Sequence, residues 1–457
     1  MSEVTASQRV SVLEKISYGL GDTASNIIFQ TVMLLMPYFY TDVFGLSAAA
    51  MGTMFLLVRL SDAVTDPIMG SICDRTSTRW GKFRPYLLWI AVPYAVMAVV
   101  TFTTPNLDPG GKLIWAYVTY GLLMVVYTAI NIPYCALGGV ITGDTRERVS
   151  LQSYRFVLAT LAGVLVASAT LPLVAWLGKG NDQKGYQLAM ALMGSLAILM
   201  FLASFFFTRE RVTQATQQVV SFWNDLKLLF RNDQWIVIAA IFFVLLIGLV
   251  IRGGGALYYI TWFAERKDLA AAFLTVGMIG QTLGAGCAGL LTRRLSKSRS
   301  YMLIQAVTVV FSVALYYVGS GSVILMFVLF GIIQFFTQMA SPVLWAMMSD
   351  TVEYGELKTG RRVTGLVFSG ALFCLKIGMA VGGALLGWVL ASYGYQGGAK
   401  MQTPEAVRGI VITFTLVPAV FHFLVIPIVS RYKITDARYD EIRAELDRQA
   451  AAAASPA

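Results

Sequence analysis

Charge is the scarcest commodity in this 457-residue chain: Asp, Glu, Lys and Arg together make up 13% of it, against about 25% in a soluble domain. An ordinary soluble enzyme is excluded on that ground. Histidine is nearly absent, with His422 alone in the apolar last stretch, where a satisfied core histidine is the expectation. The four cysteines, Cys73, Cys135, Cys287 and Cys374, are scattered in or beside apolar runs with no CxxC pair or metal-ligand spacing, and are read as core thiols. There is no GxxxxGK[ST] phosphate loop and no HExxH pair. No soluble block exceeds a short central linker and a tail, which argues against a pump, a membrane enzyme or a sensor with an output domain. The first 13 residues lack the order of a cleaved leader, so the first span is expected to be retained. The tail from Tyr439 reads as a short helix that frays.

What is abundant is apolar: 57% hydrophobic residues and a mean hydropathy of +0.68. Runs such as 91–102, 188–207 and 235–251 are gathered in about twelve stretches, and roughly 20 apolar residues span a bilayer. The chain therefore reads as an all-α polytopic membrane protein. With the N-terminus inside, 24 of the 35 Lys and Arg fall in cytoplasmic segments and 7 outside, so the charge bias predicts cytoplasmic termini. The +10 balance is thus a membrane signature and implies no nucleic acid. The longest polar interruption divides the spans six and six. It predicts a first bundle over 1–208, a cytoplasmic linker over 209–233 with an amphipathic piece at 220–229, a second bundle over 234–432 and a cytoplasmic tail over 433–457. The linker reads equally well as an ordinary long loop.

Four basic residues are left inside spans: Arg59, Arg155, Arg252 and Lys376, set against Asp22, Asp62 and Asp66. A charge at bilayer depth costs at least about 2.5–3.5 kcal/mol and marks a functional path by default. In LVRLSDAVTDP, Asp62 and Asp66 share one helix face, one turn apart, with Arg59 on the same side. With Thr65 they supply oxygens for Na+, or one carboxylate holds a proton; a structural ion-pair cluster with Arg59 and Lys376 is the alternative. In the fourth span, Tyr127, Thr128, Asn131 and Cys135 form a polar face suited to sugar hydroxyls or, equally, to interhelical glue. Arg155 either faces that site or snorkels to the interface. Lys376, among apolar neighbours, is expected to pair with Asp62 or Asp66. Arg252 precedes Gly253, Gly254 and Gly255, which predicts a broken or gating helix lined by Tyr258, Tyr259 and Trp262, or else close glycine packing. Arg75 and Arg79 in one loop, and Asp350, Glu353 and Arg362 in its counterpart, are expected to close a cytoplasmic gate by ion pairs, with plain topology signals as the alternative.

The runs YGLGD at 18–22, DAVTDPIMG at 62–70, TRWGKFRP at 78–85, NIPY at 131–134 and SDTVEYGE at 349–356 resemble the glycoside, pentoside and hexuronide cation symporters, nearest their xyloside and glucuronide permeases. The resemblance covers nearly the whole chain. It implies a major facilitator fold of two six-helix bundles in a bacterial inner membrane. It also implies symport of a glycoside with Na+, Li+ or H+, without a resident cofactor, by a monomer. Carried over by motif, Asp62 and Asp66 form the cation site with Thr65 and Thr128 beside them. Lys376 links cation and sugar sites, Tyr127 and Arg155 occupy sugar-site positions, and Arg59 and Arg252 belong to the charge network. Where melibiose-type members carry two sugar-gripping Asp residues and a stacking Trp, this chain has Asn26, Asn131 and Cys135. Asp22 and Trp345 are the expected substitutes. A more positive cavity of this kind would tolerate a uronate. A drug or metabolite exporter of the same fold is the competing function.

Overall fold

The computed structural model describes residues 10–142, 144–212, 229–361 and 363–454. Among these, helices account for nearly all regular structure, and there is no β-strand. In chain order they are α1 (Val12–Leu34), α2 (Ala48–Arg75), α3 (Ala91–Thr101), α4 (Pro109–Leu137), α5 (Thr145–Gly178), α6 (Asp182–Phe207), α7 (Asp233–Tyr258), α8 (Ala270–Thr292), α9 (Lys297–Tyr316), α10 (Val323–Thr359), α11 (Thr364–Ser392), α12 (Leu416–Val429) and α13 (Asp436–Ala454). Ten segments are long and apolar enough to cross a membrane. The expected twelve are reached with α1, which carries Glu14, Lys15 and Asp22, and with the span broken into Arg84–Trp89 and α3.

The breaks have local causes. Pro93 has no N–H to offer the carbonyl of Trp89, and the third span interrupts at Ile90. Pro418 does the same to Phe414, and the last span divides into Pro404–Phe414 and α12 at Thr415. Starts are capped where the chain re-enters the membrane: Ser11, Ser47, Asp108, Asn181, Asn232 and Thr403 each accept a first-turn backbone N–H. Around the bundle, apolar side chains such as Leu57, Val96, Ile114, Leu199 and Phe206 face outward, as a lipid solvent requires.

The two halves meet along α2 with α11 and α5 with α8. Gly52 and Gly387 let the backbones of α2 and α11 touch: a Cβ at Gly387 would stand 2.3 Å from the Ala48 carbonyl oxygen. One hydrophobic cluster runs from the first half across residues 247–278, 315–333 and 386–414 of the second, which lie at the end of the bundle away from the chain termini. At the termini end, the second half has a separate cluster around Trp235, Tyr301, Met347 and Tyr432. The bundles are therefore welded at the far end and splayed at the termini end.

Two expectations are corrected here. α7 runs unbroken through Gly253, Gly254 and Gly255, and the irregularity is a π-helical turn at Tyr259–Phe263. The glycines serve close packing, since a Cβ at Gly254 would lie 2.6 Å from Leu386 and 3.3 Å from Pro37. Cys135 is exposed, unlike buried Cys73, because the cavity between bundles is water-facing surface even in an apolar span. The tail helix forms as expected in α13. The amphipathic piece at 220–229 lies outside the described residues except for Leu229.

Candidate functional site

Two polar clusters sit on successive turns of α4. In the first, Thr128 Oγ1 donates to Asp66 Oδ1 at 3.0 Å, and the Lys376 ammonium from α11 is paired with Asp66 Oδ2. Arg59, one turn earlier on α2, reaches Asp62 Oδ2 at 4.0 Å and donates from Nε to Tyr120 Oη at 3.1 Å. Its guanidinium also lies over the Phe29 ring, 5.0 Å from the centroid. Asp62 Oδ1 and Thr65 Oγ1 are buried and have no hydrogen-bond partner among the described residues. Leaving such oxygens orphaned in low dielectric is costly, and a small cation is the partner they fit. The donor set is all oxygen: two carboxylates and two hydroxyls on adjacent helices, the chemistry of an alkali-ion or proton site.

In the second cluster, Arg155 Nε donates to Asp22 Oδ2 at 2.9 Å, and Nη2 approaches Cys135 Sγ at 3.6 Å. Arg155 therefore faces the interior and does not snorkel. Asn26 donates its amide to the Asp22 carbonyl at 2.9 Å, and Cys135 lies 3.9 Å from Asn131 Oδ1. Tyr127 stacks between Phe29 and Tyr94, with centroids 5.2 and 6.0 Å away, so its ring serves the wall of the first half.

Two expected placements fail. Arg252 is fully buried in the second half, donating to Ser312 at 2.7 Å and lying 3.5 Å from His422, whose other nitrogen meets Gln305 at 2.7 Å. It belongs to a scaffold network between α7, α9 and α12 and not to the carboxylate cluster; His422 is the satisfied core histidine expected. Trp345 is half-buried and packs edge-to-face against Phe242 of its own half. Asp350 is held within its own half by Lys297 at 2.7 Å and Tyr432 at 3.2 Å, while Arg79 stacks on Trp80. Among the described residues, no ion pair links Asp350 to Arg75 or Arg79. Glu353 sits on the same helix as Asp350, and Arg362 lies outside the described residues.

The polar contacts that join the halves lie at the far end, and sequence reading missed them. Tyr395 Oη lies 2.7 and 2.6 Å from the two Asp42 oxygens, Tyr258 Oη lies 2.8 Å from Thr41 Oγ1, and Trp388 donates to Thr53 at 3.1 Å. Lys267 pairs with Asp182 at 3.0 Å on the rim. A carboxylate at the end of an apolar span was the available signal. Between these closed contacts and the splayed end lies a chamber of about 470 Å³ bounded by α1, α5, α8 and α10.

The loop motif TRWGKFRP has a holding role. Glu210, just past α6, accepts the backbone N–H groups of Lys82, Phe83 and Arg84 at 2.9, 2.7 and 2.9 Å. Gly81, at φ +114°, leaves room for that carboxylate. Glu14 grips Arg211 through two 2.8 Å contacts, and Lys15 pairs with Glu147 at 2.8 Å just outside the fifth span, holding that carboxyl below its usual pKa.

Comparison with known proteins agrees with this architecture. The chain is 44% identical over 426 residues to the inner membrane symporter YicJ of Escherichia coli, covering 93% of this chain and 92% of that one. It is 42% identical over 444 residues to the putative glycoside/cation symporter YagG of the same organism, covering 97% and 96%. A solved bacterial homologue of the lysosomal transporter Spinster, inward-facing and unoccupied, superposes with a TM-score of 0.64 at 14% identity, over 93% of this chain and 97% of that one, which establishes the major facilitator fold. Relatives that are symporters over nearly the whole chain, and ten helices long and apolar enough to cross a membrane among the described residues, make this a multi-pass membrane transporter and not an enzyme. Residues 17–436 match the family model for MFS/sugar transport proteins, and the chain belongs to that family.

Proposed function

We propose that the protein is a secondary symporter importing a glycoside with a monovalent cation, and that Asp62, Thr65, Asp66 and Thr128 form the cation site. The observation that carries this reading is the pair of orphaned buried oxygens, Asp62 Oδ1 and Thr65 Oγ1, one turn from the Asp66, Thr128 and Lys376 cluster. The relative described as a glycoside/cation symporter supports it.

In the cation-free state Lys376 neutralises Asp66. A cation settling on Asp62 and Thr65 competes for Asp66 and releases the ammonium, so α11 and α4 move together. Because Thr128 and Asn131 lie on adjacent turns of α4, this adjusts the Asp22, Asn26, Asn131 and Arg155 surface where sugar hydroxyls are held. Coupling of this kind is reciprocal: sugar tightens the cation by the factor that the cation tightens the sugar. With both termini cytoplasmic, the splayed end opens inward, and the far-end contacts of Asp42 and Tyr395 form the periplasmic gate.

The test is cation-driven accumulation of radiolabelled glycosides in right-side-out vesicles. Asp66→Asn should abolish accumulation down a cation gradient while leaving the protein folded; retained accumulation would sink the assignment. Net efflux that sugars do not compete for would indicate an exporter instead.

A further inference from the structure

We propose that the chamber between α1, α5, α8 and α10 is a second sugar subsite, taking an uncharged ring of a two-ring glycoside whose other ring lies at Asp22 and Arg155. This rests on the glycoside reading above. Gln30 from α1, Gln281 from α8 and Gln338 from α10 line the chamber, and none of these amides makes a hydrogen bond with any described residue. Three amides without a partner among the described residues, facing one cleft from three membrane helices and not themselves fully buried, are free to exchange water for a ligand's hydroxyls. Each offers two donors and a carbonyl acceptor, which matches vicinal hydroxyls, themselves both donor and acceptor.

The chamber has no charged lining residue. A carboxylate placed there would lose its water with no cation to meet it, so the subsite selects a neutral ring. Phe156 lines the same chamber, one residue beyond Arg155, and is 64% exposed. Its face supplies the aromatic platform that sugar rings favour. The floor is closed where Gly163 lets Met278 approach: a Cβ there would stand 3.3 Å from the Met278 sulfur and 4.0 Å from the Gln30 amide nitrogen.

At about 470 Å³ the chamber falls within the range of pockets that engulf small molecules, roughly 300–1,000 Å³. Asn26 lines it one turn beyond Asp22 on α1, and Phe156 lines it one residue beyond Arg155 on α5, so the chamber adjoins the first-half site. Its polar groups are divided between the halves. A single ring at Asp22 and Arg155 touches the first half alone, whereas a two-ring substrate reaches Gln281 and Gln338 and bridges both bundles.

The experiment is ligand-induced thermal shift and isothermal titration on the full-length protein in nanodiscs, with saturating Na+. The probes are methyl β-D-xylopyranoside and methyl β-D-glucopyranoside as single rings, xylobiose and cellobiose as neutral two-ring glycosides, and methyl β-D-glucuronide as the anionic ring. The wild type should bind a neutral two-ring probe at least about tenfold more tightly than its single-ring counterpart, the worth of one or two hydrogen bonds. The double variant Gln281→Leu, Gln338→Leu should reduce the two-ring affinity to the single-ring level and leave single-ring binding unchanged. The Na+-induced shift without sugar should persist, which shows that the variant is folded. Equal affinity of the wild type for one and two rings, preference for the glucuronide, or an unchanged two-ring advantage in the double variant overturns the subsite. Loss of the Na+ shift in the wild type is a separate result, against the cation assignment.

Discussion

The Lys376 ammonium and the Asp66 carboxylate form an ion pair that joins the two halves, from α11 of the second to α2 of the first. Both side chains are about a quarter exposed to the cavity, 25% and 22%, so the pair is held in water-accessible space and can exchange partners. Lys376→Met removes the competing cation and leaves Asp62 and Asp66 facing Arg59 alone. The variant should be destabilised in cation-free buffer, by less than the ~3–5 kcal/mol of breaking a fully buried pair. Added Na+ should restore more stability than it adds to the wild type. Thermal unfolding against Na+ concentration reads both effects, and a Na+ response equal to the wild type's would separate Lys376 from the cation site.

Tyr395→Phe tests the far-end gate. The phenol contacts both oxygens of Asp42, and a hydrogen bond to a charged group contributes about 1.5–3 kcal/mol. Removing it should move the equilibrium between cleft-open states toward opening at the far end by about tenfold or more. Distances between spin labels placed on the rim near Asp182 and Lys267 should lengthen. Unchanged rim distances would mean that the apolar cluster, not the phenol, closes that end.

Span number, two-bundle division and the α2 carboxylate cluster were legible because they depend on run length and on neighbours within one helical turn. Asp62, Asp66 and Arg59 share a face for that reason alone. Lys376 was legible by elimination, since a lysine without polar neighbours must find a carboxylate. Arg252 was misplaced because its sequence context does not distinguish the inside of one bundle from the cleft between two. The Asp42 and Tyr395 gate joins residues 353 positions apart, and no local periodicity announces it. The Asp350 expectation failed for a different reason: its charge is present, but Lys297 of its own half holds the carboxylate.

The Glu210 latch gives a stability prediction away from the transport path. Its carboxylate accepts three successive backbone N–H groups, so Glu210→Ala orphans all three. The expected cost is roughly 1.5–3 kcal/mol, the range for losing charge-assisted bonds in a partly buried setting. Gly81→Ala should act in the same direction, because a Cβ there would lie 2.5 Å from the Glu210 carboxylate and the residue sits at positive φ. Thermal unfolding in detergent checks both. Wild-type stability in Glu210→Ala would show that the loop does not depend on this contact.

Cys135 offers a label that needs no engineering. It is exposed on the cleft and lies 3.6 Å from Arg155, whereas Cys73 is buried. On the inward-opening orientation proposed above, a membrane-impermeant maleimide should alkylate Cys135 readily in inside-out vesicles and slowly in right-side-out vesicles, where the Asp42 and Tyr395 contacts intervene. Substrate held at Asp22, Asn26 and Arg155, as proposed, would cover the thiol, so a transported glycoside should slow the inside-out reaction, and Na+ should strengthen that protection if the sites are coupled. Mass spectrometry of the labelled peptide distinguishes Cys135 from the half-buried Cys287 and Cys374. Equal labelling from both sides would contradict the closed far end, and protection by Na+ alone without sugar would move Cys135 from the sugar surface to the conformational change itself.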